Sequence, residues 1–446
     1  MSHIEALRDD LLNRGVKYVF GFYVDVHGVP KSKCVPVQSL LQMAEGSELY
    51  TVGALEGMGD LGPHEDECAG MPDFDRLMVL PWQPEIAVVP TSLHLHGRPY
   101  EQESRNFLAR QMEEAAALGF VPNVGIEPEL YVVRLTDHGW EPLVPEDRLN
   151  SPTRGYDLEA TVMAGPFLDP MVDYMNQLGW GIYSFDHEGG DGQYEFNFDY
   201  ADALTMADRM VVFRLMAKHV ARQLGCIATF MAKPFQDDFG SASHVNISLA
   251  DKETGRNVFA ASDGSYSDIS RQFVAGVLRH SGAICAVTSP TVNSYKRFTS
   301  KGFMDEISWA PIYRAWGENN RTLMCRMPVN RHCLEVRSAD ASVNYHLGIG
   351  LILAAGLEGV RDRLDPGEPL NADAYQLTPA DLTRLGYSEL PKSLDAALDE
   401  FEADGLAQEV MGKEFHQTYL DHKRAEAREY AAVVTDWETS SYLQRL

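Results

Sequence analysis

The chain has 446 residues, of which 45% are apolar, and a formal net charge of −27. This acidic balance disfavours nucleic-acid binding, which needs clustered lysine and arginine, and no apolar run approaches the ~18 residues of a membrane span. The six cysteines are scattered without a CxxC pair, so we expect a cytoplasmic protein with no disulfide framework, no nucleic-acid partner and no membrane partner.

Residues 1–100 are predicted to form a small α+β unit. A helix is expected over Ile4–Asn13, followed by a hairpin of the strands VKYVFGFYVDVHG and KSKCVPV. Residues 46–73 are rich in glycine and acidic residues and weakly patterned, which is typical of a functional loop. Short strands are then expected near Leu77–Leu80 and Ile86–Val89.

Residues 101–446 mix longer helices and strands. Helices are expected over Ser104–Leu118, Pro170–Leu178, Ala203–Leu224, Asp268–Val287 and Val343–Arg363. The expected strands are GIEPELYVV, GIYSFDHE, QYEFNFDY, CIATFMA and SHVNISL. Because helices and strands do not alternate in a strict βαβ repeat, we predict an α+β fold with an antiparallel sheet in this larger domain.

The predicted strands carry unusual acidic residues. Glu127 and Glu129 lie two apart in GIEPELYVV, so both side chains point to the same face of an apolar strand. Glu188 ends one strand and Glu195 enters the next across a glycine-rich turn, so a hairpin would bring their carboxylates together. One strand glutamate alone usually faces solvent, but clustered carboxylates are the ligands that Mg²⁺ or Mn²⁺ prefers.

Two later strands add further polar groups. His244, Asn246 and Ser248 share one face of SHVNISL, and Glu335 shares a face with Arg337 in CLEVRS. A histidine alone is more often a satisfied polar group than a metal ligand. Among the buried strand glutamates it becomes a candidate ligand.

Arginines follow in two short motifs. Arg297 ends NSYKR, and Arg321 and Arg326 lie in NNRTLMCRMP. Each alone would most simply form a surface salt bridge, but arginine forks also suit carboxylate and phosphate groups. The chain has no P-loop, no GxGxxG after a strand and no GxSxG motif. A nucleotide would therefore have to be bound by metal ions and arginines.

These motifs resemble the glutamine synthetase family along nearly the whole chain. The matching segments occur in the family's order and are GIEPELYVV, HEGGDGQYEFNF, GSASHVNISL, NSYKRF, NNRTLMCRMP and CLEVRSADASVNYHL. The resemblance implies a β-grasp-like N-terminal domain over 1–100. It implies a catalytic domain over 101–446 that has a curved antiparallel sheet and flanking helices. It also implies a ring-shaped homo-oligomer, commonly a dodecamer, with active sites between subunits.

The resemblance implies a role for each matching residue. Two ions of Mg²⁺ or Mn²⁺ would be held, the first by Glu129, Glu188 and Glu195 and the second by Glu127, His244 and Glu335. L-Glutamate would be held by Arg297, Arg337 and Gly240. The phosphates of ATP would be held by Arg321 and Arg326, and Asn246 and Ser248 would line the nucleotide side.

The chain departs from the family pattern at several positions. The family's HxH is His-x-Asn here, at His244 and Asn246, and an Asn of the substrate loop is replaced by Phe239. The family's DGSS-type segment and PGYEAP flap are absent, although they carry the acids of the ammonium site. The candidates for an acid that deprotonates the amine are Asp60, Glu65, Asp305 and Glu306. Trp309, Trp316 and Met304 could form an apolar wall for an alkylamine.

The missing ammonium-site acids favour a changed amine. The chain is similar to the type III branch of the family, which includes γ-glutamylmethylamide synthetases. The resemblance implies ATP-dependent ligation of L-glutamate to a small amine through γ-glutamyl phosphate, with methylamine or another short alkylamine ahead of ammonia. The alternatives are ammonia, a polyamine bound by the acidic 60–67 loop, and a catalytically inactive relative.

Overall fold

The computed structural model describes residues 3–54, 57–59, 61–62, 64–137, 139–144, 155–299 and 308–445. Within these ranges the chain forms two β-sheets with helices packed against them. None of the helices in this part of the chain has both the length and the apolar character that crossing a membrane requires. The α+β class predicted from the sequence is confirmed.

The first sheet has seven strands and lies within the N-terminal part of the chain. Its strands are β1 Tyr18–Val24, β2 Pro30–Pro36, β3 Leu49–Tyr50, β4 Cys68–Pro72, β5 Met78–Val79, β6 Ile86–Leu95 and β7 Arg98–Pro99. β1 and β2 form the predicted antiparallel hairpin, in which Tyr18 lies opposite Pro36. β1 also pairs in parallel with β6, so it is an interior strand.

The second sheet has ten strands and follows from residue 120 onward. Its strands are β8 Phe120–Thr136, β9 Gly139–Pro142, β10 Ile182–His187, β11 Gln193–Phe198, β12 Ala201–Asp202, β13 Ile227–Thr229, β14 Ser243–Asp251, β15 Tyr313–Glu318, β16 Leu323–Met327 and β17 Leu334–Val336. The main path of this sheet runs β10-β11-β8-β14-β17-β16-β15. Every pair along that path is antiparallel except β15 and β16.

The stretch GIEPELYVV lies inside β8, which is 17 residues long and central to the second sheet. Ile126 and Leu130 point from β8 into the main hydrophobic core. Glu127 and Glu129 point to the opposite face, as the two-residue period of a strand requires. The apolar residues hold the strand in place, and the glutamates are thereby fixed on its concave, cavity-facing side.

The helices surround the two sheets. They are α1 His3–Asn13, α2 Leu40–Ala44, α3 Ser104–Ala117, α4 Leu158–Met163, α5 Gly165–Gln177, α6 Ala203–Gln223, α7 Asp268–Arg279, α8 Ser281–Thr288, α9 Tyr345–Asp362, α10 Pro379–Leu385, α11 Leu394–Ala403, α12 Gly405–Met411, α13 Lys413–Ala431 and α14 Asp436–Tyr442. α7 packs closely on α9 at Gly276. A Cβ atom added to this glycine would lie only 2.0 Å from the carbonyl oxygen of Ala355 in α9. Glycine is needed there for the two helix backbones to approach.

One predicted helix is wrong. The sequence favours a continuous helix over Asp268–Val287, but the structure has α7 and α8, which meet at His280. The backbone of His280 leaves the helical region, and its ring contacts Asp404 and Glu358. The ring of His280 thus ties the junction of the two helices to residues that are distant in the chain.

Candidate active site

A cavity of about 560 Å³ lies over the concave face of the second sheet. It collects most of the predicted site residues from distant parts of the chain. Those that line it are Glu127, Glu129, Glu188, Glu195, Gly240, His244, Arg297, Arg321, Arg326 and Arg337. Their convergence in one cavity agrees with a single catalytic centre for these residues.

The strand register brings the carboxylates together. Glu195 of β11 lies opposite Glu129 of β8, and His244 of β14 lies opposite Glu127. Two groups result, in which the candidate ligand atoms all lie within 4.8 Å of one another. These groups are Glu129, Glu188 and Glu195, and Glu127, Glu195 and His244. The first matches the predicted first ligand set, and Glu195 is common to both.

The first group is electrostatically strained. Glu129 is 7% exposed, and burial followed by the charge of Glu188 raises its pKa to about 8. Burial and then Asp186 raise the pKa of Glu188, and burial and then Glu127 raise that of Glu195. Buried carboxylates this close cannot all remain ionised without a compensating positive charge. Hard oxygen ligands with that demand fit a divalent cation such as Mg²⁺ or Mn²⁺.

Glu129 is also held by hydrogen bonds. Its Oε2 accepts from the backbone N–H of Ala242 at 2.7 Å and from Gln193 Nε2 at 3.0 Å. The same Gln193 nitrogen donates to the carbonyl of Gly240 at 3.0 Å. Nearby, the Tyr131 hydroxyl donates to the carbonyl of Phe239 at 2.7 Å. The sheet therefore positions both the glutamate and the loop that carries Phe239 and Gly240.

In the second group a histidine contacts the carboxylate. His244 Nδ1 lies 3.4 Å from Glu127 Oε2, and burial followed by the charge of Arg337 lowers the pKa of His244 to about 4. Its imidazole is therefore neutral at pH 7, the form in which histidine binds metals. Burial would raise the pKa of Glu127, but contacts with His244 and Arg331 outweigh it and lower that pKa.

Glu335 is the predicted ligand that does not line the cavity. It is fully buried, and one oxygen lies 4.0 Å from His244 Nδ1. Arg326 Nη1 donates to its Oε2 at 2.5 Å, and Arg337 Nη1 donates to its Oε1. Burial would raise the pKa of Glu335, but Arg337 and His244 lower it overall. The structure thus places Glu335 behind the two arginines, beside the second group.

The predicted substrate arginines are fixed by backbone carbonyls. Arg297, 5% exposed, donates to the carbonyls of Ser338 at 3.0 Å and Arg337 at 2.8 Å. Arg337 donates through Nη2 to the carbonyl of Trp309 at 3.0 Å. A Cβ atom at Gly240 would lie 2.7 Å from Arg297 Cγ, so this position requires the absence of a side chain.

A second cavity of about 230 Å³ adjoins the first. Asn246 and Ser248 line this second cavity rather than the first, together with aromatic residues such as Phe198 and Tyr200. Glu127 and Arg331 line both cavities. An aromatic and amide-lined space beside a carboxylate cluster suits a nucleoside whose phosphates reach toward that cluster.

The structure describes only some of the residues predicted for the amine site. Asp60, Met304, Asp305 and Glu306 lie outside the described residues. Glu65 is exposed and lies outside both described cavities.

The two tryptophans that were expected to form an apolar wall behave differently. Trp309 lines the first cavity. Trp316 is buried elsewhere and donates to the carbonyl of Pro366 at 3.2 Å, so its assignment to an amine wall is wrong.

The structure adds residues that the sequence reasoning missed. Tyr156, Asp186, Gln193 and Arg331 all line the first cavity. Asp186 lies two residues before Glu188 and opposite Glu195, so strand periodicity could have identified it. Arg331 lies in a loop, where no periodic signal exists.

Comparison with known proteins gives one consistent family. A family model described as the catalytic domain of glutamine synthetase matches residues 101–442. A glutamate–methylamine ligase of Methyloversatilis universalis is 35% identical over 448 residues, with 100% of each chain covered. A glutamine synthetase of Rhizobium meliloti is also 35% identical, over 96% of this chain and 97% of its own.

Solved structures agree with this similarity. One described as a GmaS/ADP complex has 31% sequence identity and a TM-score of 0.89, covering 98% of this chain and 99% of its own. A second, described as apo GmaS without ligand, has a TM-score of 0.87 at 31% identity, over the same shares of the two chains. Sequence and structure thus agree over nearly the full length.

Proposed function

The chain belongs to the glutamine synthetase family, and from that premise we propose that it is an ATP-dependent ligase that joins L-glutamate to methylamine. The observation that carries the proposal is the cavity in which Glu129, Glu188 and Glu195 face Arg297 and Arg337. The carboxylates suit metal ions on a phosphate chain, and the arginines suit the carboxylates of glutamate.

The reaction would proceed in two steps. The γ-carboxylate oxygen of glutamate attacks the γ-phosphorus of ATP, which forms γ-glutamyl phosphate and releases ADP. The amine nitrogen then attacks the γ-carbonyl carbon, the C–O bond to phosphate breaks, and the nitrogen loses a proton. The products are γ-glutamylmethylamide and inorganic phosphate.

Two divalent ions would be held, one by Glu129, Glu188 and Glu195 and the other by Glu127 and His244. Glu335, with an oxygen 4.0 Å from His244 Nδ1, stays the predicted third ligand of the second ion. When bound, such ions neutralise charge on the phosphoryl group during its transfer.

The chain's own residues supply the rest. Arg297 and Arg337 are held in place by carbonyl groups, so they can bind the glutamate carboxylate without further ordering. Gly240 has no side chain, so the stem of Arg297 can lie directly against its backbone. Arg321 and Arg326 would bind phosphate oxygens, and Asn246 and Ser248 would lie beside the nucleoside in the second cavity. Asp60, Asp305 and Glu306 stay predictions for the acid that takes the proton of the amine.

The choice of methylamine is supported by the wall of the cavity. Phe239 and Trp309 both line it. Their apolar surface favours contact with the methyl group of methylamine over contact with a polar N–H group of ammonium. The similarity to a glutamate–methylamine ligase supports the same choice. The alternative substrate is ammonia. The similarity to a glutamine synthetase, which is also 35% identical to this chain, supports that alternative.

We further propose that the enzyme is a cytoplasmic homo-oligomer, a dodecamer, with active sites between subunits. Mass photometry of the purified protein checks the subunit number. A monomer with full ligase activity would contradict the shared active site.

The function is tested by phosphate release from ATP with L-glutamate, Mg²⁺ and one amine at a time. The panel is methylamine, ethylamine, ammonium and putrescine, and we expect the highest kcat/KM for methylamine. A preference for ammonium would make the chain a glutamine synthetase, and a preference for putrescine would indicate a polyamine ligase. No release with any of the four amines would indicate an inactive relative and sink the proposal.

A further inference from the structure

Arg331 occupies the boundary between the two cavities and lines both of them. It lies in the loop between β16 and β17, before the buried Glu335. Its Nη2 is 2.7 Å from Glu127 Oε1 and 3.6 Å from Glu335 Oε2. A guanidinium therefore shares a carboxylate with the second group of candidate metal ligands.

The backbone that carries Arg331 is firmly anchored. The Tyr266 hydroxyl lies within hydrogen-bond distance of the carbonyls of Pro328, at 2.6 Å, and Arg331, at 2.8 Å. Asn257 Nδ2 donates to the carbonyl of His332 at 2.7 Å. The side chain of Arg331 is 39% exposed, so its guanidinium borders open space while its backbone is held. From this anchored position the side chain lines both cavities.

Two arginines that line the first cavity have buried N–H groups without acceptors among the described residues. The Nε atoms of Arg326 and Arg331 are both buried, and neither has a hydrogen-bond partner among the described residues. A buried donor without an acceptor destabilises the free protein, and more so when it is charged. An anionic ligand that passes between the cavities would supply the missing acceptors. A nucleotide bound across the two cavities has such a group in its phosphates.

We infer that Arg331 couples the divalent-cation site to the nucleotide phosphates by exchanging Glu127 for a phosphate oxygen. This inference rests on the proposed function, because it takes the bound anion to be a nucleotide. A cation on Glu127 and the guanidinium of Arg331 repel each other and compete for the same carboxylate. A phosphate group draws Arg331 toward itself and leaves Glu127 to the cation.

The coupling predicts effects of opposite sign on the two ligands. Loss of the Arg331 charge removes the competitor from Glu127, so a divalent cation alone should bind more tightly. The same loss removes a donor for phosphate, so the nucleotide should bind more weakly. A residue that merely stabilised the fold would weaken both, and one that acted only on the nucleotide would leave the cation unchanged.

The test uses the full-length variants Arg331→Gln and Arg331→Lys. Isothermal titration calorimetry measures binding of Mn²⁺ alone, and then of ADP at saturating Mn²⁺, with neither glutamate nor amine present. The matched control is Arg314→Gln, because Arg314 makes a bidentate pair with Glu400 at 2.5 Å and lies in neither cavity. Circular dichroism verifies the fold of each variant.

For Arg331→Gln we expect Mn²⁺ to bind about threefold more tightly and ADP about tenfold more weakly. Arg331→Lys keeps the charge but not the planar fork, so Mn²⁺ binding should stay near wild type while ADP binding weakens. If the Gln variant does not fold, the result with Arg331→Lys decides the inference. Mn²⁺ binding that weakens or stays unchanged in Arg331→Gln overturns the inference. Failure of the wild type to bind ADP would overturn the proposed function itself.

Discussion

Single residues in the site are arranged at an electrostatic cost. Burial and then the charge of Glu188 raise the cost of ionising Glu129, while burial and then Asp186 raise that of Glu188. A structural role alone would be served better by neutral side chains at these positions. A cation bound between these carboxylates would offset the electrostatic cost of ionising them.

The cost of Glu129 can be measured through pH. Its folded pKa of about 8 lies above the ordinary value of 4.5, so the folded state binds more protons between those values and stability falls as pH rises through that window. Without divalent ions, Glu129→Gln should be about 1–2 kcal/mol more stable than wild type at pH 8. With Mn²⁺ the order should reverse, because the amide is a poor ligand. Thermal unfolding at pH 6 and pH 8.5, with and without Mn²⁺, checks this.

The matched control is Glu103→Gln, which changes a fully buried glutamate outside both cavities whose pKa burial raises to about 7. It should alter the pH dependence but leave the response to Mn²⁺ as in wild type. Equal Mn²⁺ stabilisation of Glu129→Gln and wild type would show that Glu129 holds no cation.

The sequence predicted some of these residues and not others for a physical reason. Glu127 and Glu129 could be assigned to one face because a strand repeats every two residues. Their closeness to Glu195 depends on strand register, which the glycine-rich turn before Glu195 made predictable. Arg331 reaches Glu127 across 204 positions of the chain from an irregular loop, so no local pattern reports the contact.

Among the secondary-structure elements, the break between α7 and α8 shows the same limit. The apolar residues after His280 favour continuation of the helix. His280 instead contacts Glu358 of α9 at 2.5 Å through Nε2 and Asp404, the N-cap of α12, at 2.7 Å through Nδ1. These partners lie 78 and 124 positions away in the chain, so tertiary contacts decided a boundary that local propensity could not.

The ion triad at this break should make stability depend on pH. Burial would lower the pKa of His280, but Asp404 and Glu358 outweigh it and raise that pKa above 6.5. The stability due to charged His280 is then fully present below pH 6.5 and is lost as pH rises through the raised pKa. At pH 6 the free energy of unfolding of His280→Gln should be about 1–3 kcal/mol lower than that of wild type, so the variant should unfold at a lower temperature. The difference in the free energy of unfolding should be smaller at pH 9. A constant gap between pH 6 and pH 9 would mean that His280 is neutral throughout.

Across the whole molecule, the first sheet ends at Pro99 and the second begins at Phe120, and one hydrophobic cluster has members on both sides of that gap. Phe22 and Val24 of β1 and Leu80 belong to the same core cluster as Phe107 of α3. A change in residue pattern can indicate where one sheet ends and another begins. It cannot report packing between them: one cluster spans both sheets, while two smaller clusters, around Leu11 and around Tyr23, lie within the N-terminal part.

Arg105 links the same regions by charge. It is 4% exposed, and its guanidinium contacts Asp208 of α6 at 3.0 Å and Asp73 of the N-terminal part at 2.8 Å. His346 of α9 contacts the same Asp208 at 2.9 Å. A carboxylate at position 208 therefore contacts groups from two other elements at once.

Asp208→Asn would leave the Arg105 charge buried with less compensation, so we expect a loss of about 3–5 kcal/mol at pH 7. Burial would raise the pKa of Asp208, but Arg105 and His346 outweigh it and hold that pKa below 3.8. The stabilisation is thus present above pH 3.8 and is lost as pH falls through the lower value. Thermal unfolding should show a large difference from wild type at pH 7 that shrinks toward pH 3. Asp381→Asn, which breaks a surface pair with Arg384, should leave the thermal unfolding close to that of wild type. An equally small effect of Asp208→Asn would show that the shared apolar core alone joins the two sheets.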